Sequence, residues 1–192
     1  MLIKGDVYQT LDLMQEIVTK TIHQTEKIAG VLEGNSIITT AENIWNFLYN
    51  HVQYKLDEPG VEQLRSPNRV WADRKTGVDC DCYSIFISSV LTNLNIPHSL
   101  RIAEYNRSGN FQHVYVVVPT KNREIIIDPV MEQFNTEKKF SKKYDKAMKI
   151  QHQFLNGFTP NVGMIPGYGE EYKIVLSGLG SISDKKTAAM KQ

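Results

Sequence analysis

Three residues far apart in the chain could together break an amide bond. Cys80 stands in Gly77-Val78-Asp79-Cys80-Asp81-Cys82-Tyr83-Ser84, directly before the apolar run Ile85 to Leu94. A thiol where a glycine-bounded loop turns into a helix has its anion favoured by the unsatisfied backbone N–H groups and the aligned peptide dipoles. His113 lies in the β-branched run Phe111 to Val118, and Asp128 ends the run from Glu124. A carboxylate bonded to one imidazole nitrogen fixes the tautomer and supports the charged ring. The other nitrogen is then able to take a proton from a thiol.

The two runs read as a hairpin, which allows a register test. With Pro119 to Asn122 as a four-residue loop, Val118 pairs with Arg123 and His113 falls opposite Asp128. Directly opposed residues have Cβ atoms about 4.5–5.5 Å apart, within reach of an imidazole–carboxylate hydrogen bond. A slip of one residue would put the two on opposite faces.

Each residue has a plainer role open to it. A buried cysteine is usually a small hydrophobe, a strand histidine a satisfied polar group, and an aspartate before Pro129 part of a turn. In the order Cys, His, Asp, with the register agreeing, catalysis is the better reading. Asp79 and Asp81 flank Cys80 and oppose thiolate formation, an effect that eases if Asp81 turns outward. Cys80, Cys82 and His113 would also supply three zinc ligands. Zinc pairs are ordinarily separated by two or more residues, however, and no second cysteine pair exists. Cys82 points to another side of the helix and reads as packing.

The elements that must position these groups are legible in the periodicity. Asp6 to Glu33 has apolar residues at a three-to-four spacing and reads as one amphipathic helix capped by Asp6. Thr39 or Thr40 caps a second helix whose apolar face carries Ile44, Trp45, Phe47, Leu48 and Val52. His51, near its end, reads as an ordinary helix C-terminal residue. Leu56 to Gly77 reads as an irregular basic loop around Trp71. Cys80 to Leu94 is apolar on several sides, hence a buried central helix, stopped by Asn95 and Pro97. Strands follow at about Ser99–Tyr105, Phe111–Val118 and Glu124–Asp128. Phe134 to Ile150 reads as a lysine-rich, solvated helix.

The chain has 192 residues, 41% hydrophobic, with a formal net charge of +1. That is an ordinary globular composition whose bulk charge indicates no nucleic-acid partner. Two cysteines one residue apart cannot staple a fold, which suits a reducing compartment. No apolar run matches a signal peptide or a membrane span. A cytoplasmic protein is expected, or a virion component if the chain is phage-encoded.

Cys80-Asp81-Cys82-Tyr83-Ser84, Phe111-Gln112-His113-Val114-Tyr115-Val116 and Ile126-Ile127-Asp128-Pro129-Val130 resemble the cysteine, histidine and aspartate segments of the transglutaminase-like superfamily of papain-type thiol enzymes. The run through Asn95-Ile96-Pro97 is especially similar to bacterial and phage-encoded members. Gly77 sits one residue further out than in the commonest pattern, and Cys82 stands where near relatives often have aspartate.

The resemblance implies an α+β, papain-like fold, with the cysteine helix packed on an antiparallel sheet. It implies acyl transfer from amide or peptide bonds without metal or cofactor, on a protein or peptide substrate. The Cys80 N–H would supply half of the oxyanion hole, with Trp71, Asn68 or Gln63 as the other donor. The expected organisation is a domain over residues 1–150, with N-terminal helices at 6–55 and a catalytic core at 65–134. A glycine- and proline-punctuated apolar extension follows at 151–192. That tail suits docking on the chain's own domain or on another subunit. The rival function is a silent structural or binding module of the same fold, such as a virion or assembly component.

Overall fold

A computed structural model describes residues 2–58, 61–148 and 172–176. A short strand, β1 (Leu2–Gly5), leads into helix α1 (Val7–Thr21). Asp6 caps α1, accepting from the N–H groups of Tyr8 and Gln9 while Gln9 Oε1 accepts the N–H of Asp6. The long helix expected over 6–33 is broken by a 3-10 turn, Ile22–Thr25, before α2 (Glu26–Leu32). Threonine hydroxyls compete for backbone carbonyls here: Thr21 Oγ1 donates to Ile17 O, and Thr25 Oγ1 to Ile22 O. Asn93 then clamps the break, its amide donating to Ile22 O and Thr25 Oγ1 at 2.8 Å each.

Helix α3 (Ile37–His51) begins one turn earlier than expected, because Ser36 is the cap. Thr40, a candidate cap, instead accepts the Gly34 N–H at 2.9 Å. His51 is exposed and bonded to its own helix at Phe47 O, as expected of a C-terminal residue.

The stretch expected to be irregular contains a short strand, β2 (Glu62–Leu64), and a helix, α4 (Pro67–Ala72). Pro67 suits the first turn of a helix, where its missing N–H costs nothing. Helix α5 (Cys80–Asn93) follows, and Asn95 takes the left-handed conformation at φ 54° after its end. Its residues from Asp81 to Leu91 are all buried, so it is the axis of the molecule. It packs against α1, the 3-10 turn, α2 and α4, and also against the sheet.

The main sheet is antiparallel: β3 (Ser99–Glu104), β4 (His113–Pro119), β5 (Glu124–Ile127) and β6 (Lys142–Ala147), in the order β5-β4-β3-β6. One face, with Leu100, Ile102, Val114, Val116, Val118, Ile125 and Ile127, joins the α5 core. The other carries Ala103, Tyr105, Tyr115, Val117 and Ile126, with Phe140 against them. Because both faces are covered, β4 is buried from His113 through Val118, which accounts for its dense β-branched sequence. The architecture is α+β, as expected.

Two expectations are corrected in the sheet. The lysine-rich segment is an edge strand, β6, rather than a helix. Lysines on an edge deter pairing with other chains, and Asp145 on the same strand is bound by Arg101 at 2.6 Å. The β4–β5 loop is Thr120–Arg123, closed by the Thr120 N–H donating to Arg123 O at 2.9 Å. Pro119 pairs with Glu124 and Val116 with Ile127, a register two residues away from the expected one. A shift of two preserves the faces, so His113 and Asp128 still meet, now on a diagonal.

A second sheet brings β1 and β2 together with a strand from the last quarter of the sequence. β7 (Tyr172–Leu176) runs parallel to β1 and antiparallel to β2. This segment of the expected 151–192 extension therefore lies on its own chain; the rest of that extension falls outside the described residues. No helix of the described residues is long and apolar enough to cross a membrane.

Candidate functional site

His113 opens β4 at the sheet end nearest the start of α5. The Ser84 hydroxyl, one turn into that helix, is shared between Cys80 O at 2.9 Å and Val114 O at 3.3 Å. The first turn carrying Cys80 is thereby fastened to the strand beside His113.

The His113 Nε2–H donates to Asp128 Oδ2 at 2.7 Å, between residues only 2% and 5% exposed. At that depth the bond both orients the ring and assigns the tautomer. His113 Nδ1 is then the basic nitrogen, and it is buried with no hydrogen-bond partner among the described residues. The ring is also stacked on Tyr115, centroids 5.4 Å apart.

Asp128 is held from three sides. Its Oδ1 accepts the Val130 N–H at 3.0 Å, and its carbonyl accepts the Trp45 indole N–H at 2.9 Å. Trp45 reads from its sequence as simple core. Its polar edge fixes the aspartate loop, a role that no local sequence signal announces.

Cys80 is half-buried and Cys82 fully buried, and neither is in a disulfide. Cys82 belongs to a polar cluster under the helix. Its thiol donates to Gln63 O at 3.0 Å and accepts from Arg65 Nη1 at 3.4 Å. Burial, and then the charge of Asp81, push this thiol well above its ordinary value, so it stays protonated. Arg65 also binds Asp57 at 3.5 Å and Asp73 at 3.2 Å. Asp81 points inward, 3% exposed, with Oδ1 accepting the Cys82 N–H, so the outward orientation is not adopted. Arg65 is the cation that offsets its charge.

Of the expected oxyanion donors, Gln63 lies against the first turn of α5, its carbonyl accepting from the Cys82 thiol. Trp71 is 39% exposed, stacked on Phe47 and covered by the Arg74 guanidinium. Asn68 is exposed on α4. Gln63 Oε1 accepts from Arg65. Tyr54 also faces the start of α5. An isolated parallel bridge sets Tyr54 beside Val78, and its hydroxyl donates to Asp79 Oδ1 at 3.4 Å. Asp79 caps α5, and the same Oδ1 accepts the Cys80 N–H at 2.5 Å. Asp79 Oδ2 accepts the Asp57 N–H at 3.3 Å. Such a long-range bridge leaves no periodic trace in the sequence, so Tyr54 is not identified there.

A family model described as a transglutaminase-like domain matches residues 23–155. Among solved structures, the chain is similar to Legionella pneumophila LapG (EGTA-treated), with a TM-score of 0.45 and 17% identity, covering 68% of this chain and 74% of that one. No curated protein matches.

Proposed function

The chain belongs to the transglutaminase-like domain family, and from that premise we propose that it is a cysteine-dependent acyl-transfer enzyme acting on amide or peptide bonds, with Cys80, His113 and Asp128 as its triad. The observation that carries this is the buried His113–Asp128 bond at 2.7 Å, which leaves Nδ1 basic and, among the described residues, without a hydrogen-bond partner.

His113 Nδ1 takes the thiol proton as the sulfur of Cys80 bonds to the carbonyl carbon, and the carbonyl π pair moves to oxygen. Collapse of that oxyanion breaks the C–N bond, and His113 passes its proton to the leaving amine. Water, deprotonated by His113, then attacks the thioester and releases the acid and the thiol. An amine in place of water would give transamidation. Asp128 fixes the ring through Nε2, leaving Nδ1 as the base, and stabilises the imidazolium.

The rival is a silent module of the same fold, with a structural or assembly role. It is favoured by the Asp79 carboxylate on the Cys80 N–H, where a substrate oxygen would have to sit. Incubation with p-nitrophenyl acetate separates the two. A burst of p-nitrophenol with the acetyl group mapped to Cys80, absent in Cys80→Ala, supports the enzyme. Release no faster than from Cys80→Ala supports the silent module.

A further inference from the structure

Two hydrogen-bond donors converge on one carboxylate oxygen at the start of α5. The Cys80 N–H reaches Asp79 Oδ1 at 2.5 Å, and the Tyr54 hydroxyl reaches the same atom at 3.4 Å. An anionic oxygen held by the nucleophile's own N–H and one further donor is the arrangement that an acyl-transfer intermediate requires. Taking the proposed acyl-transfer chemistry as given, we infer that Tyr54 is the second oxyanion donor, and that Asp79 Oδ1 holds the place of the oxyanion until substrate displaces it.

The fold supplies both donors on rigid elements. Val78 N donates to Gln53 O, and Lys55 N to Val78 O, each at 3.0 Å, so the backbone on both sides of Tyr54 is tied to the residue before Asp79. Burial, followed by the charges of Cys80, Asp79 and Asp128, raises the Tyr54 phenol far above its ordinary value. It therefore stays protonated and able to donate through the whole cycle. Its bond to Asp79 and the bridge to Val78 place the phenol at the end of α5 that carries Cys80. Tyr54 is thus a catalytic residue, touching the reacting oxygen.

Asp79 gives this hole a selective property. A carboxylate is a stronger acceptor than a neutral carbonyl, so a resting substrate carbonyl competes poorly for the two donors. The oxyanion carries a full charge and competes as an equal. The donors are thereby released preferentially to the species whose stabilisation raises the rate.

The experiment compares two reactions at the same sulfur. Acylation by p-nitrophenyl acetate forms an S–C bond and an oxyanion, which collapses with loss of p-nitrophenolate. Alkylation by iodoacetamide forms an S–C bond with loss of iodide and makes no oxyanion. In Tyr54→Phe, acylation of Cys80 should fall about a hundredfold, the size ordinarily seen for one lost donor, while alkylation stays within about twofold. In Asp79→Asn, a neutral cap that suits the helix start equally well, the ratio of acylation to alkylation should rise. An unchanged ratio in Tyr54→Phe overturns the assignment of Tyr54 while leaving the triad standing. A ratio in Asp79→Asn no higher than in the parent overturns the placeholder role. Acylation of the parent no faster than of Cys80→Ala removes the triad and this inference together.

Discussion

Two thiols two positions apart on the first turn of α5 have opposite surroundings. Residues two apart on a helix point about 200° away from each other. Cys82 faces inward to Gln63, Arg65 and Asp57, fully buried and held as a thiol. Cys80 is half-buried, on a turn tied by Ser84 to the strand that begins with His113. The difference teaches that helix geometry divides the repeated Asp-Cys motif into an inward side that packs and a half-buried side, to which the proposed function assigns the chemistry. Variants on the Cys80 side should therefore change rates with the fold intact. Those on the Cys82 side should change stability with the chemistry intact.

The largest effect is expected at Cys80. Cys80→Ser should lower acyl transfer by a factor on the order of 10³ or more, with an unchanged urea midpoint. His113→Ala should follow, lowering the acylation rate by about 10²–10⁴ as its proton transfer is lost. An equal loss in either variant through unfolding, visible in the urea midpoint, would break the division.

On the other side, Arg65→Met should cost about 3–5 kcal/mol, because it leaves Asp57 and Asp81 buried without their cation. Urea unfolding measures this. Smaller is the pH dependence of Asp57, whose carboxyl burial raises from 3.8 to about 6. A raised folded value means that this group's contribution is full below 3.8 and is lost as pH rises through 6. Acidification from 6 toward 4 should therefore stabilise the protein through Asp57.

His98 opposes it over the same range. Burial lowers its imidazole from 6.5 to about 4, so its contribution is full above 6.5 and is lost as pH falls toward 4. Each is worth roughly 3 kcal/mol at most. Asp57→Asn should make acidification from pH 6.5 to 4.5 more destabilising, and His98→Asn less so, by urea midpoints. The smallest effect is expected for Cys82→Ser. Its hydroxyl is able to keep the bond to Gln63 O, at a cost of about 1 kcal/mol and with an unchanged acylation rate.

Much of the framework that positions the candidate site was legible because it rests on short-range rules. Asp6 as a cap, α5 as a buried helix, Asn95 beyond its end and the β3–β4–β5 strands all follow from periodicity and turn chemistry. The meeting of His113 and Asp128 survived a register error because the error was two residues and strand faces alternate with period two. What escaped is tertiary. The break at Ile22 depends on Asn93, about seventy positions away. β6 is a strand because β3 offers it an edge and Arg101 binds Asp145, Glu124 and Glu137. Lysine periodicity records none of this. The bridge that brings Tyr54 to Asp79 is equally invisible, because it joins Tyr54 and Val78 across the chain with no periodic pattern.

The most direct test of the central claim is competition between the two thiols for iodoacetamide at neutral pH, read by peptide mapping. Cys80 should be labelled well before Cys82 in the native protein, and His113→Ala should slow labelling at Cys80 alone. Slow, equal labelling of both cysteines, indifferent to His113, would contradict the account.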